Sequence, residues 1–131
     1  MPQSIQSSGN LEGPMLFKSA VDDQAPGTKT VWTPTAGKKF RLMGGTVVCG
    51  GTLVAAAIRT IDFQEETTGS TGLVFQFLAP VTAATVNTLI TFDIKPVGYL
   101  ASVAGKKLNA VVTGATYTTG NDSITVWGYE E

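Results

Sequence analysis

Asn87-Thr88-Leu89-Ile90-Thr91-Phe92-Asp93-Ile94-Lys95 decides the fold class. Ile90, Phe92 and Ile94 fall on one side of an extended chain, and Thr91, Asp93 and Lys95 on the other. That period of two is what a half-buried strand requires. Wound as a helix, the same residues would scatter their apolar side chains around the axis. Leu73, Phe75 and Phe77 repeat the alternation up to Pro80, and Leu108, Ala110 and Val112 repeat it across Lys107–Thr113. Arg59, Ile61 and Phe63 share one parity, with Thr60, Asp62 and Gln64 on the other.

Between these runs lie turn signals at short, regular spacing. Met15–Val21 stops at Asp22-Asp23-Gln24-Ala25-Pro26-Gly27, and Lys29–Thr33 stops at Pro34. Phe40–Cys49 contains Gly44-Gly45, which predicts a bulge or the close approach of another backbone. Thr52–Glu65 is read as a single strand despite the helix-tempting Ala55-Ala56-Ala57, because β-branched residues flank it. Pro96–Lys106 is a longer connection with room for one helical turn at Leu100-Ala101-Ser102-Val103. Gly114–Asp122 is a loop, and Ser123–Tyr129 closes the chain. The result is about eight strands and no amphipathic helix of useful length, which predicts an all-β sandwich or barrel.

At 131 residues the chain suits one domain with a real core. Residues 1–13 are polar and Ser/Gln-rich, and are read as an arm disordered in isolation; 14–131 form the β-sandwich domain. The N-terminus is neither basic nor apolar, so no signal peptide is expected, and no run is long enough to span a bilayer as a helix. Charged residues make up only 15% of the chain, against roughly a quarter in an average soluble protein. Neutral groups, threonine above all, must therefore cover much of the surface, and thirteen valines stand ready for the interior. An uncharged surface favours association.

The chemistry is defined by what is missing. There is no histidine, the usual general base and transition-metal ligand. A single cysteine, Cys49, can build neither a thiolate zinc site nor an intrachain disulfide. Within Val47-Val48-Cys49 it reads as a small buried hydrophobe, an intermolecular bridge being the other reading. No acidic spacing matches a calcium loop. Asp62 and Asp93, the formal candidates for a carboxylate dyad, lie on the polar parities of their strands. The net charge of −1, with no block of like charge longer than two, argues against nucleic acid as a partner. No catalytic, cofactor or metal site is expected, and the chain reads as a non-enzyme with no small-molecule substrate and no membrane partner.

If the strands run in order across two sheets, three loops meet at one end. Two carry the same four residues, Ala36-Gly37-Lys38-Lys39 and Ala104-Gly105-Lys106-Lys107, and the third carries Glu65 and Glu66. Lys38, Lys39, Glu65, Glu66, Lys106 and Lys107 are thus a candidate rim for oligomer or partner contacts; plain turn and strand-edge protection is the alternative. Trp32, Trp127, Tyr99, Tyr117 and Tyr129 raise the question of a carbohydrate platform, against core or subunit packing.

Three stretches resemble small structural proteins of tailed bacteriophages: Val31–Gly45, Lys107-Leu108-Asn109-Ala110-Val111-Val112-Thr113-Gly114-Ala115, and the ending Val126-Trp127-Gly128-Tyr129-Glu130-Glu131. Their order and spacing cover most of the chain after residue 28. The resemblance implies a jelly-roll virion protein, of the capsid decoration (cement) or head-fibre type. It further implies a homotrimer on the capsid exterior, synthesised in the host cytoplasm, with the major capsid protein as partner. Pro2, Ile5, Leu11 and Pro14 would be the capsid-gripping residues of the arm. A carbohydrate- or receptor-binding module of a phage fibre or tail is the alternative function.

Overall fold

The computed structural model describes residues 13–22, 24–53, 59–66, 72–79, 88–94 and 96–131. These form eleven strands and no helix: β1 (Leu16–Val21), β2 (Gly27–Trp32), β3 (Phe40–Cys49), β4 (Thr52–Leu53), β5 (Arg59–Glu65), β6 (Gly72–Ala79), β7 (Thr88–Asp93), β8 (Tyr99–Leu100), β9 (Leu108–Gly114), β10 (Tyr117–Thr119) and β11 (Asp122–Glu130). One sheet has the order β2-β9-β5-β6. The other runs β1-β11-β3-β7, with β8 beside the start of β3, and β4 pairs with β10 as a separate ribbon. All recorded pairings are antiparallel. Strands distant in sequence lie side by side in both sheets, the mark of the jelly-roll sandwich.

The core is built by the parity seen in the sequence. Phe40, Leu42 and Val47 of β3, Ile61 and Phe63 of β5, Leu108, Ala110 and Val112 of β9, and Ile124 and Val126 of β11 are all buried. Phe92 of one sheet meets Phe63 of the other at 5.3 Å between ring centroids, and Trp32 meets Phe40 at 5.9 Å. Each such side chain, fully buried, contributes roughly 1.5–3 kcal/mol before conformational entropy is set against it. Cys49 is buried in this core, where burial pushes its thiol up to about 11.

The glycine pair in β3 does what its position predicts. Between Trp127 and Gly128 the β3–β11 register shifts by one residue, leaving Met43 without an opposite number. A Cβ on Gly44 would stand 2.6 Å from the Phe92 carbonyl oxygen and 2.9 Å from the Trp127 ring. The bulge and the close approach occur together.

Three expectations are corrected. Residues 100–103 form no helical turn; Tyr99–Leu100 pairs with Arg41–Leu42 as β8. The segment 114–122 is not all loop, because Tyr117–Thr119 pairs with β4. The single strand read over Thr52–Glu65 is two, β4 and β5, which belong to different sheets; its alanine triplet lies outside the described residues. In each case two or three residues are held by backbone bonds to a remote segment, too short a run to leave a periodic signal.

Candidate functional site

The described parts of the three loops expected to share an end meet there. The Gly105 amide donates to the Lys38 carbonyl at 2.8 Å, and the Glu66 amide donates to the Lys107 carbonyl at 2.8 Å. The two Ala-Gly-Lys-Lys segments adopt the same turn. In each, the lysine after glycine bonds back three residues, Lys38 to the Thr35 carbonyl at 2.9 Å and Lys106 to the Val103 carbonyl at 3.4 Å. Gly37 and Gly105 both sit at φ 82°, the left-handed value a type II turn asks of its third residue. One turn leads into β3 and the other into β9, so each sheet starts a strand from the same device.

The acidic groups at this end are occupied within the chain. Glu65 does not line the surface: it is 4% exposed, against its expected place on the rim. Its carboxylate accepts from the Tyr99 hydroxyl at 2.8 Å, the Ser102 amide at 2.5 Å and the Ser102 hydroxyl at 2.8 Å. Burial alone would push this carboxyl up, but the bonds from Ser102 and Tyr99 outweigh it and hold it below its ordinary 4.5. Tyr99 is pushed up to about 12 by burial and by its bond to Glu65. Glu66 reaches the Lys107 ammonium at 3.9 Å. Glu130 accepts from the Trp32 indole at 3.0 Å and the Thr35 amide at 3.2 Å. Glu131 forms a two-pronged pair with Arg41, whose guanidinium also donates to the Val97 carbonyl at 2.7 Å. The hydrogen bond to Arg41 is the main cause that holds the Glu131 carboxyl low.

Lys38 and Lys106 make no ion pair among the described residues. Pro14 lines a shallow cleft with Lys38 and Glu130, beside the first lysine turn. Pro2, Ile5 and Leu11 lie outside the described residues.

The opposite end carries a second polar network, which sequence reading missed. Arg59, fully buried, donates to Asp122 at 2.9 Å, Asp22 at 2.6 Å, the Gln24 carbonyl at 3.1 Å and the Ala115 carbonyl at 2.5 Å. Its guanidinium lies 4.1 Å from the centroid of the Tyr117 ring, and Tyr117 donates to Asp122 at 2.7 Å. The available signal was Arg59's parity with Ile61 and Phe63, which requires a buried cation and hence buried carboxylates somewhere.

The outer face of the five-stranded sheet is laid out in rows across β1, β11, β3 and β7. Val21, Ser123, Val48 and Leu89 form one row, and Ser19, Thr125, Thr46 and Thr91 the next. The third is Phe17, Trp127, Gly44 and Asp93, whose aspartate is the one charge of the twelve positions. This is the threonine-rich neutral surface that the composition requires. Phe17 and Trp127 stand 6.3 Å apart at 47° to each other, a tilted pair and not the coplanar platform a sugar ring would stack on.

No group of three or more His, Cys, Asp or Glu residues able to hold a metal occurs among the described residues. None of their helices is long and apolar enough to cross a membrane. No family model and no curated protein matches the chain. Among solved structures, it is similar to a chain in the acid-stable capsid of Helicobacter pylori bacteriophage KHP30. The identity is 15% and the TM-score 0.57, over 89% of this chain and 88% of that one. A chain of the cyanophage Pam1 capsid aligns over 99% and 98% at 12% identity, with a TM-score of 0.46. At these identities the likeness is one of fold, and the shared fold is the jelly-roll sandwich.

Proposed function

We propose that this chain is a non-enzymatic structural protein of a phage virion, which binds the outside of the capsid and stabilises it as a decoration or cement protein. The supporting observation is that the likeness to a chain of a phage capsid extends over 89% of this chain and 88% of that one. The neutral outer sheet face and the all-internal use of the carboxylates described above agree with a protein that acts by contact. The mechanism is mechanical: weak contacts repeated at symmetry-related positions add by avidity and resist separation of the shell subunits.

In this reading the chain works as a symmetric homotrimer, and the arm, through Pro2, Ile5, Leu11 and Pro14, lies across the major capsid protein. Ordering the arm on docking costs conformational entropy, so its contribution is a net one. Deleting residues 1–13 leaves a folded oligomer whose uptake onto particles prepared without this protein falls by at least tenfold, read by co-sedimentation. Light scattering gives three times the chain mass for both forms, the intact chain being 13.7 kDa. Undiminished uptake of the truncated chain would remove the arm from the mechanism, and no saturable uptake of the intact chain would remove the function.

A further inference from the structure

We infer that the end bearing the twin Ala-Gly-Lys-Lys turns is the docking end, and that its partner is an acidic protein surface gripped by Lys38, Lys39 and Lys106 with Val97 and Val103. This rests on the reading that the chain works against a capsid, and adds which end faces it and what chemistry it meets.

Basic groups are concentrated here. Lys38, Lys39, Arg41, Lys106 and Lys107 stand at the end where β3 and β9 begin, while at the other end the described segments 24–26, 50–51 and 114–121 contain no lysine or arginine and the one base, Arg59, is buried. The acids interspersed among them already have partners. Glu65 is inside, Glu66 is with Lys107, Glu130 is with Trp32 and Thr35, and Glu131 is with Arg41. Lys38 and Lys106 are left without a carboxylate among the described residues, while Lys39 shares the Glu131 carboxylate with Arg41. Because the turns share the Ala-Gly-Lys-Lys sequence and the glycine φ, and are joined by the Gly105–Lys38 bond, they present their lysines as a fixed pair and not as two independent loops.

The same end exposes two large apolar side chains, Val97 at 63% and Val103 at 54%. Apolar groups beside unpaired cations suit a surface that supplies both carboxylates and something to cover the valines, as a folded protein does. Nucleic acid is the poorer fit: a phosphate backbone offers little to the valines, and three lysines on a chain of net charge −1 make a small phosphate footprint. The excess positive charge is small, so the attraction acts at contact range and is screened by salt.

The test uses particles of the encoding phage, purified without this protein, and the intact chain. Uptake is measured from 50 to 500 mM salt for the natural sequence, for Lys38→Glu with Lys106→Glu, and for Lys29→Glu as a charge control on β2. Unfolding midpoint and oligomer mass are checked for each. The double reversal lowers affinity by about tenfold or more at low salt and flattens the salt dependence, while Lys29→Glu changes affinity by less than about threefold. Saturable uptake that ignores both salt and the double reversal overturns this inference and leaves the capsid reading standing; no uptake of the natural sequence defeats both. Tighter retention on double-stranded DNA than on particles also overturns it, in favour of a nucleic-acid partner.

Discussion

Arg59 shows how one residue can fix a whole end of a fold. Its planar fork serves two carboxylates and two carbonyls at once, a geometry that a lysine ammonium cannot reproduce. Because the group is completely buried, the cost of losing it is dominated by what it leaves behind, Asp22 and Asp122 without their counter-ion. Arg59→Met therefore lowers stability by about 3–5 kcal/mol in urea unfolding. Tyr117→Phe, which removes one donor to Asp122, costs about 1.5–3 kcal/mol. A loss below about 1 kcal/mol for Arg59→Met would show that the network contributes little. The other end answers to pH. Glu65, Glu130 and Glu131 are all held below their ordinary 4.5 in the fold, so each binds its proton more readily when unfolded. Their contribution is complete above that value and is lost as pH falls through the lower, folded values. Tyr99 works in the opposite direction: its contribution is complete below about 10 and is lost as pH rises towards about 12. Glu65→Gln lessens the acid slope of the thermal midpoint and speeds hydrogen exchange at the Ser102 amide at neutral pH. An unaltered slope would mean that Glu65 does not hold the 99–107 segment.

At the scale of elements, β3 carries the most constraint, since β11, β7 and β8 all pair with it. Gly44 lets Trp127 and the Phe92 carbonyl approach its backbone from two sides, so Gly44→Ala meets backbone that cannot move cheaply. A loss of about 1–3 kcal/mol is expected from such overpacking. At Gly105 a Cβ meets nothing, and the penalty for Gly105→Ala is conformational alone, about 1 kcal/mol. Comparing the two midpoints by calorimetry separates crowding from backbone strain, and equal losses would refute that distinction. The strands of six to ten residues were legible because burial on one face writes a period of two into the sequence: Phe40–Cys49 was placed to the residue, and Gly44-Gly45 marked the bulge. The pairings of β4, β8 and β10 were not legible, because two or three residues fixed by remote backbone bonds have no period to display. Of the candidate rim, the lysine turns and their meeting at one end followed from strand order. The inward turn of Glu65 was available in its parity with Ile61 and Phe63, but its partners Tyr99 and Ser102 were not, since nothing local announces that they will reach it.

On the scale of the molecule, charge is sorted by place: a buried network at one end, lysine turns at the other, and between them a sheet face almost without charge. That face owes its neutrality to cross-strand register. β1, β11, β3 and β7 align so that valine, serine and threonine positions coincide, and a slip of one residue in any strand would turn its core side chains outward. Val21, Val48 and Leu89 are 56%, 40% and 64% exposed in a single row, which places water against apolar surface that no local charge keeps apart from other proteins. Two lysines placed in that row should therefore change how molecules meet while leaving the core untouched. Val48→Lys with Leu89→Lys is expected to alter stability by no more than about 0.5 kcal/mol per site. It should also make the osmotic second virial coefficient, measured by static light scattering at low salt, distinctly more positive. A coefficient unmoved by two added charges would mean that the row is already covered, or that attraction between molecules arises elsewhere on the surface.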